Sequence, residues 1–95
     1  MIEQPQITTD HVNACRKLAK GVLNVPPAHA AFWAGSVLIG APWLPSEHDI
    51  AQLAQMAFPT VDSLEIARAS VFLAPAIVRI HSARTGRLPV QEESL

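Results

Sequence analysis

The amino-acid sequence predicts an all-α fold, a small bundle of four to five helices. Three observations support this prediction. Apolar residues recur every three or four positions along most of the 95 residues, which is the periodicity of helices with a buried face. Most of the prolines stand between these periodic segments, where helices begin or end. Two segments open with a capping-box pattern, Ser46 with Asp49 and Asp62 with Glu65.

The first predicted helix begins at Thr8 and ends at Gly21 or Asn24. Threonine is a common N-cap residue because its hydroxyl accepts a hydrogen bond from a free backbone N–H of the first turn. Ile7 and Val12, on either side of this cap, have the spacing of a hydrophobic staple. We therefore expect an ordinary amphipathic helix here.

The second predicted helix, from about Pro27 to Ile39, is apolar nearly all round. Proline suits the first turn because the N–H that it lacks would have no helical partner there. Ala31 and Gly35 stand one turn apart, so the backbone of another helix can approach this face closely. A helix that is apolar on every side lies at the centre of a fold or is shared with another chain.

The third predicted helix starts at the Ser46 cap and closes at Phe58-Pro59. Polar residues occupy its outer positions. Its inward stripe has helical spacing and consists of Ile50, Leu53, Ala54 and Ala57.

The fourth predicted helix is the longest and extends from Thr60 or Asp62 to Thr85. Gly86 follows it at the position of a left-handed C-terminal glycine. Pro75 interrupts the helix, so we expect the last long element to be kinked or broken there.

The length allows one domain over residues 1–95, of which residues 1–7 and 88–95 are expected to be loose tails. Apolar residues make up 49% of the chain and charged residues 16%, compared with about 25% charged in a typical domain. The mean hydropathy is +0.23. A chain this short and apolar has too few charges to coat a monomer, so the sequence predicts a homodimer or a stable partner.

The second helix and the tryptophan that follows it are the predicted site of self-association. Because this segment is apolar on every side, four short elements cannot cover it and the fourth helix together unless two copies combine. The predicted dimer-interface residues are Phe32, Trp33, Val37, Leu38 and Trp43.

The charge balance and the cysteine content predict a cytoplasmic protein. A net charge of −1 exerts no general attraction on phosphate backbones or anionic membranes. The single cysteine excludes an internal disulfide and suits a reducing compartment. The N-terminus has no signal-peptide pattern, and Ala28–Leu44, the most apolar run, is too short and too interrupted for a membrane span.

None of the local motifs predicts an enzyme or a cofactor site. The sequence has no glycine-rich phosphate loop, no GxSxG turn and no HExxH motif. His11 and Cys15 are four residues apart, as in a metal-binding pair, but nothing supplies the further ligands. We interpret them as a capping-region histidine and a small buried thiol, and we expect no catalysis, cofactor or metal.

One segment, Ala51–Glu65, resembles the core of a helix-turn-helix motif. The turn glycine is missing, however, and Gln55 stands in its place. The second helix of the motif would present Asp62 and Glu65 to DNA, and carboxylates repel phosphates. A degenerate DNA-binding motif is therefore the alternative interpretation, and the sequence disfavours nucleic acid as a partner.

Phe72 stands in the narrow polar stripe of the fourth helix, between Arg68 and Arg79. Aromatic residues and arginine are enriched at the energetic centres of protein interfaces. The sequence therefore predicts a partner-binding site formed by Arg68, Phe72 and Arg79. The alternative is that a kink at Pro75 turns Phe72 into the core.

Two stretches carry a resemblance to a known family, Pro26–Trp33 (PPAHAAFW) and Val71–Val78 (VFLAPAIV). With them, this small helical chain of high apolar content resembles the bacterial anti-activators of LuxR-type quorum-sensing regulators. The resemblance implies a homodimer that binds the ligand-binding domain of such a transcription regulator. Binding would prevent the regulator from dimerising, so that promoter binding is lost.

Overall fold

Four α-helices and their connections make up the described part of the chain. The computed structural model describes residues 7–22 and 24–85, apart from the side chain of residue 85. The helices are α1 (Thr9–Ala19), α2 (Pro27–Leu38), α3 (Glu47–Ala57) and α4 (Ser63–Thr85). No strand occurs among these residues. The predicted all-α fold is confirmed, with four helices close to the expected positions.

Helix α2 lies at the centre of the bundle and packs against each of the other three helices. Both α1 and α4 also pack against α3, but they do not contact each other within the described ranges. They therefore lie on opposite sides of the α2–α3 pair. The buried residues of α2 are mostly small, which allows three neighbours to come close: Ala30, Ala31, Ala34, Gly35 and Leu38.

Gly35 is in close contact with α4, on the face of α2 where the sequence predicts that another helix can approach. A methyl group built on Gly35 would lie only 2.8 Å from Cδ1 and 2.9 Å from Cγ1 of Ile77. Ile77 is itself buried on α4. Real side chains do not approach so closely, so glycine at this position permits the observed helix spacing.

Helix α1 is capped at its first turn by a histidine. Thr8 is the N-cap; its hydroxyl accepts from the backbone N–H of His11, and its own N–H donates to His11 Nδ1 at 2.9 Å. The His11 ring also stands edge-on to Trp43, with ring centroids 5.7 Å apart. The predicted capping role of His11 is therefore confirmed. The helix ends at Lys20 and Gly21, which both have positive φ.

A buried carboxylate joins the start of α3 to the segment that follows α2. The predicted capping box is present: Ser46 Oγ accepts from Asp49 N–H, and Asp49 Oδ2 accepts from Ser46 N–H at 3.0 Å. The same Asp49 oxygen also accepts a hydrogen bond from Trp43 Nε1 at 3.1 Å. Because both residues are buried, this charge-assisted bond fixes Trp43 inside the chain.

The turn between α3 and α4 is held by side-chain amide and guanidinium groups. Gln55 Nε2 donates to the carbonyl oxygen of Val61 at 2.9 Å and to that of Pro59 at 3.4 Å. Arg16 Nε of α1 donates to the carbonyl oxygen of Ala57, in the last turn of α3, at 3.1 Å. These bonds satisfy carbonyl groups that the helix end and the loop leave free.

Helix α4 stays helical through Pro75, so the chain is not divided into two helices there. A bend of the helix axis at Pro75 stays a prediction. Asp62 caps the first turn, where Oδ1 accepts from Leu64 N–H at 3.2 Å. Ile7, predicted to belong to a loose tail, packs against the core. Gly86 and the rest of the two predicted tails lie outside the described residues.

We expect Gly35→Ala to destabilise the fold by about 1 kcal/mol. Overpacking against Ile77 costs about 1–3 kcal/mol, and the higher helix propensity of alanine offsets about 1 kcal/mol. Ile77→Val removes the Cδ1 atom that the alanine methyl at position 35 would meet. It should therefore lower the free energy of unfolding by less in the Gly35→Ala variant than in the native chain. Urea unfolding followed by tryptophan fluorescence measures both costs. Equal costs would contradict the assigned contact.

We expect Asp49→Ala to lower the free energy of unfolding by about 2 kcal/mol, because it leaves the buried Trp43 N–H without an acceptor. Glu47→Ala is the matched control, since Glu47 is an exposed carboxylate of the same helical turn. The control should change stability by less than about 0.5 kcal/mol. Similar losses in the two variants would show that Asp49 acts only through the helix dipole.

Candidate protein-interaction surface

Helix α4 is positioned by polar anchors as well as by apolar packing. Ile66 and Ile77 lie in the core. Buried Ser70 donates a hydrogen bond to the carbonyl oxygen of Ile66 at 2.8 Å. His81 is also buried, and its Nε2 donates to the carbonyl oxygen of Ala41 at 2.8 Å. The bond of His81 to Ala41 and the burial of Ile66 and Ile77 determine which side of α4 faces the core, whereas the Ser70 bond lies within the helix.

The outward side of α4 exposes several large apolar side chains. Phe72 is 84% exposed, which is the largest fraction among the exposed large hydrophobic residues of the described chain. Leu64, Val71 and Ile80 are each about half exposed. We call this surface the α4 face; it consists of Leu64, Glu65, Arg68, Val71, Phe72, Pro75, Ala76, Arg79 and Ile80.

The exposure of Phe72 decides between the two interpretations of this residue. A core position would require the side chain to point towards α2 and α3, and it does not. The ring therefore lies on the surface, between two arginines, as the partner-binding interpretation requires.

An apolar groove runs between the start of α2 and the first half of α4. Its walls are formed by Pro27 and Phe32 on one side and by Ala69, Phe72 and Leu73 on the other. Phe32 is 53% exposed, so both phenyl rings are accessible at this groove. The polar side chains that line the groove are His29, Glu65 and Arg68.

The predicted partner-binding residues occupy one side of α4 but not one pocket. Arg68 and Phe72 line the groove, whereas Arg79 lies about two turns further along the exposed side. Arg68 Nη1 is 3.4 Å from Glu65 Oε2, and both side chains are substantially exposed. Such a surface ion pair contributes about 0–1 kcal/mol, so Arg68 is not tied to the fold.

The predicted dimer-interface residues do not form one surface. Leu38 and Trp43 are buried within a single chain, where Leu38 is in the core and Trp43 donates to Asp49. Neither side chain is available to a second copy, so neither Leu38 nor Trp43 can belong to the predicted dimer interface. Trp33 and Val37 are half-buried against the core, and only Phe32 is exposed.

The phenyl rings of Phe32 and Phe72 therefore belong to the same groove, although the sequence assigns them to two different surfaces. Periodicity within one helix cannot show this, because the groove exists only where α2 meets α4. Leu64 and Ile80 of α4 are also exposed. Their helical spacing matches that of buried residues, so the sequence alone does not show that the bundle leaves them uncovered.

A second shallow groove follows the other side of α4. Leu44 and Pro45 of the α2–α3 connection form one wall, and Val71, Pro75 and Val78 form the other. Leu44 and Val71 are each about half exposed. The α4 face is therefore a ridge with an apolar groove on each side.

Cys15 lies in the core, and burial raises the pKa of its thiol to about 11. A thiol of this kind is protonated at neutral pH and is a poor nucleophile and a poor metal ligand. His11, four residues earlier, uses Nδ1 in the helix cap. Among the residues that the structure describes, no three His, Cys, Asp or Glu side chains form a group that could hold a metal ion.

The segment that resembles a helix-turn-helix core forms a tight connection between α3 and α4. Gln55, which replaces the turn glycine of that motif, uses its amide to hold the loop. At the start of α4 the exposed charged side chains are Asp62, Glu65 and Arg68. Carboxylates therefore outnumber cations at the end of the helix that would enter a DNA groove.

No helix in the described ranges is both long enough and apolar enough to cross a membrane. No protein-family model, no curated protein and no solved structure matches the chain.

We expect Cys15 to resist alkylation in the folded protein. A pKa of about 11 makes the thiolate about 100-fold scarcer at pH 8 than the ordinary value of 9.0 does. Iodoacetamide at pH 8 should therefore label the native chain at least about 100-fold more slowly than the chain unfolded in denaturant. Mass spectrometry of timed samples measures both rates. Native and unfolded rates within tenfold of each other would show that the thiol is accessible.

Proposed function

We propose that this chain is a non-enzymatic protein-interaction protein and that the α4 face, with its adjoining groove, binds a partner. The observation that carries this proposal is Phe72, a large aromatic side chain left 84% exposed between two arginines. Exposed aromatic rings beside a groove are typical of binding hot spots, because a partner can remove them from water at little conformational cost.

The form of the surface favours a helix as the bound element of the partner. A ridge flanked by two apolar grooves matches the way in which helices pack, with side chains of one helix seated between those of another. Arg68 and Arg79 lie on this ridge, where they can pair with acidic residues at the edge of the partner's apolar side. The proposed partner is therefore an amphipathic helix whose apolar stripe is bordered by carboxylates.

The resemblance to anti-activators suggests which protein supplies this helix. We propose that it belongs to the ligand-binding domain of a LuxR-type transcription regulator. Binding there would cover the surface that the regulator needs for its own dimerisation, so that promoter binding is lost. In this proposal the chain is cytoplasmic and forms a homodimer.

The alternative, a degenerate helix-turn-helix protein that binds DNA, has less support. Asp62 uses its carboxylate to cap α4, and Glu65 already pairs with Arg68. In its first two turns, the end of α4 that would enter the groove therefore presents two carboxylates beside a single cation, Arg68. If the alternative were true, the chain would bind duplex DNA with an affinity that falls steeply with salt.

A promoter–reporter assay tests the proposed function. The chain is expressed with a LuxR-type regulator of its own organism, the regulator's inducer and a reporter under the regulator's promoter. We expect reporter output to fall when the native chain is present. Phe72→Ala should restore output, because loss of a hot-spot aromatic weakens binding by about 2 kcal/mol or roughly 30-fold.

Met56→Ala is the matched control for this assay. Met56 is a large apolar side chain on α3 that is 44% exposed and lies outside the α4 face. The Met56→Ala variant should repress the reporter as the native chain does. Equal repression by the Phe72 and Met56 variants would contradict the assigned surface, and no repression by the native chain would contradict the proposed partner class. Salt-sensitive binding of labelled duplex DNA would favour the alternative.

A further inference from the structure

We infer that in the free protein a second copy of this chain covers the α4 face, with the two α4 helices antiparallel and crossing at Phe72. This inference rests on the proposed function, since it assigns a second occupant to the proposed binding surface. It concerns the geometry of self-association, which the sequence places instead on α2 and Trp43.

Five exposed residues form one line along α4, and their spacing is that of a helix-pairing seam. They are Glu65, Arg68, Phe72, Pro75 and Arg79, at intervals of three, four, three and four. This 3-4-3-4 pattern keeps successive side chains in line with a second helix along the whole seam. The largest apolar member, Phe72, is at the centre of the line.

The seam is complementary to itself when two copies are antiparallel. A two-fold axis at Phe72 brings the two Phe72 rings together. It also places Glu65 of one copy opposite Arg79 of the other, and it does so twice because the interface is symmetric. Arg68 then faces the small side chain of Ala76, which leaves room for its aliphatic stem.

The charges within each chain leave these groups available for pairing. Arg79 makes no ion pair within the described ranges, and it is exposed. Glu65 accepts the hydrogen bond from Arg68 through Oε2, so its Oε1 is available to accept from a second guanidinium group. A carboxylate between two arginines, one from each copy, is a favourable arrangement at the edge of an apolar contact.

Other arrangements of the same helices lack this complementarity. Parallel packing in register would place Glu65 on Glu65, Arg68 on Arg68 and Arg79 on Arg79. If the two-fold axis of the antiparallel pair lay about half a turn nearer the C-terminus, Arg68 of each copy would face Arg79 of the other. Repulsion of like charges therefore selects the pairing at Phe72 over its close neighbours.

The geometry has a consequence for regulation. Phe72 and Arg68 belong both to this seam and to the groove proposed for the partner, so one surface serves two occupants. A partner helix can bind only after the second copy has left. Self-association therefore sets a concentration threshold for partner binding and keeps the apolar face covered until a partner is present.

Charge-reversal variants test the pairing. Glu65→Arg opposes arginine to arginine at both ends of the seam, and Arg79→Glu opposes glutamate to glutamate. We expect each variant alone to dimerise at least about tenfold more weakly than the native chain. An equimolar mixture should recover the dimer, because each Glu65→Arg chain then meets Arg79→Glu partners with opposite charges at both ends.

Light scattering at micromolar concentrations measures the mass of each sample, and circular dichroism confirms that the variants are folded. Asp10→Arg and Arg84→Glu, both exposed and outside the seam and its two grooves, are the matched controls and should dimerise as the native chain does. The milder pair Glu65→Gln and Arg79→Gln replaces the reversals if either of them fails to fold.

Three results would overturn the inference: a native chain that is monomeric throughout, single variants as dimeric as the native chain, or a mixture no heavier than its components. The reporter assay separates this failure from that of the proposed function. A monomer that still represses in a Phe72-dependent way would remove only the seam, whereas a dimer that never represses would remove only the proposed partner.

Discussion

The packing of Ile77 of α4 against Gly35 of α2 is the contact on which the outward face of α4 depends. Gly35 and the buried alanines of α2 leave room for three neighbouring helices in a chain of 95 residues. Once Ile77 points inward, helical geometry places Phe72 five residues earlier on the opposite side. The exposed ring follows from packing at the centre of the bundle.

A hydrogen bond between distant segments fixes this rotation in addition to apolar packing. The imidazole of buried His81 donates to the carbonyl oxygen of Ala41. Turning α4 to bury Phe72 would break the bond of His81 and leave buried polar groups without partners, at about 1–3 kcal/mol each. The chain therefore does not hide its exposed aromatic by rotating the helix.

The apolar composition explains why some surface must remain uncovered. With 16% charged residues, one copy buries α2 on its small-residue faces and coats the outer sides of α1 and α3 with polar groups. Helix α4 carries the charged side chains Glu65, Arg68, Arg79 and Arg84, but large apolar groups remain exposed between them on its outward side. A second polypeptide on that side is the physical remedy, whether it is another copy or a different protein.

Features that depend on a few neighbouring residues could be predicted from the sequence. The caps at Thr8 and Ser46 and the close approach at Gly35 are of this kind, because each is encoded within one or two helical turns. The all-α class and the order of the helices follow from periodicity and from the prolines. Pro75 shows the limit of such rules. The sequence predicts either a kink or a break at this proline, and the helix is not broken there.

Features that depend on contacts between distant segments could not be predicted. The sequence predicts Trp43 as a dimer-interface residue, yet its N–H donates to the buried carboxylate of Asp49 within one chain. Phe32 and Phe72 are 40 residues apart and were assigned to separate surfaces, yet they line one groove. Their proximity arises only from the packing of α2 on α4.

The central claim is that one chain leaves the α4 face uncovered and that a second polypeptide stabilises the fold by covering it. The dependence of the melting temperature on protein concentration tests this most directly, with no partner present. If a second copy binds the folded state, the midpoint of thermal unfolding rises steadily as the concentration rises from micromolar to hundreds of micromolar. A midpoint that stays constant over this range would show that no second copy covers the α4 face, and it would contradict the claim for the free protein.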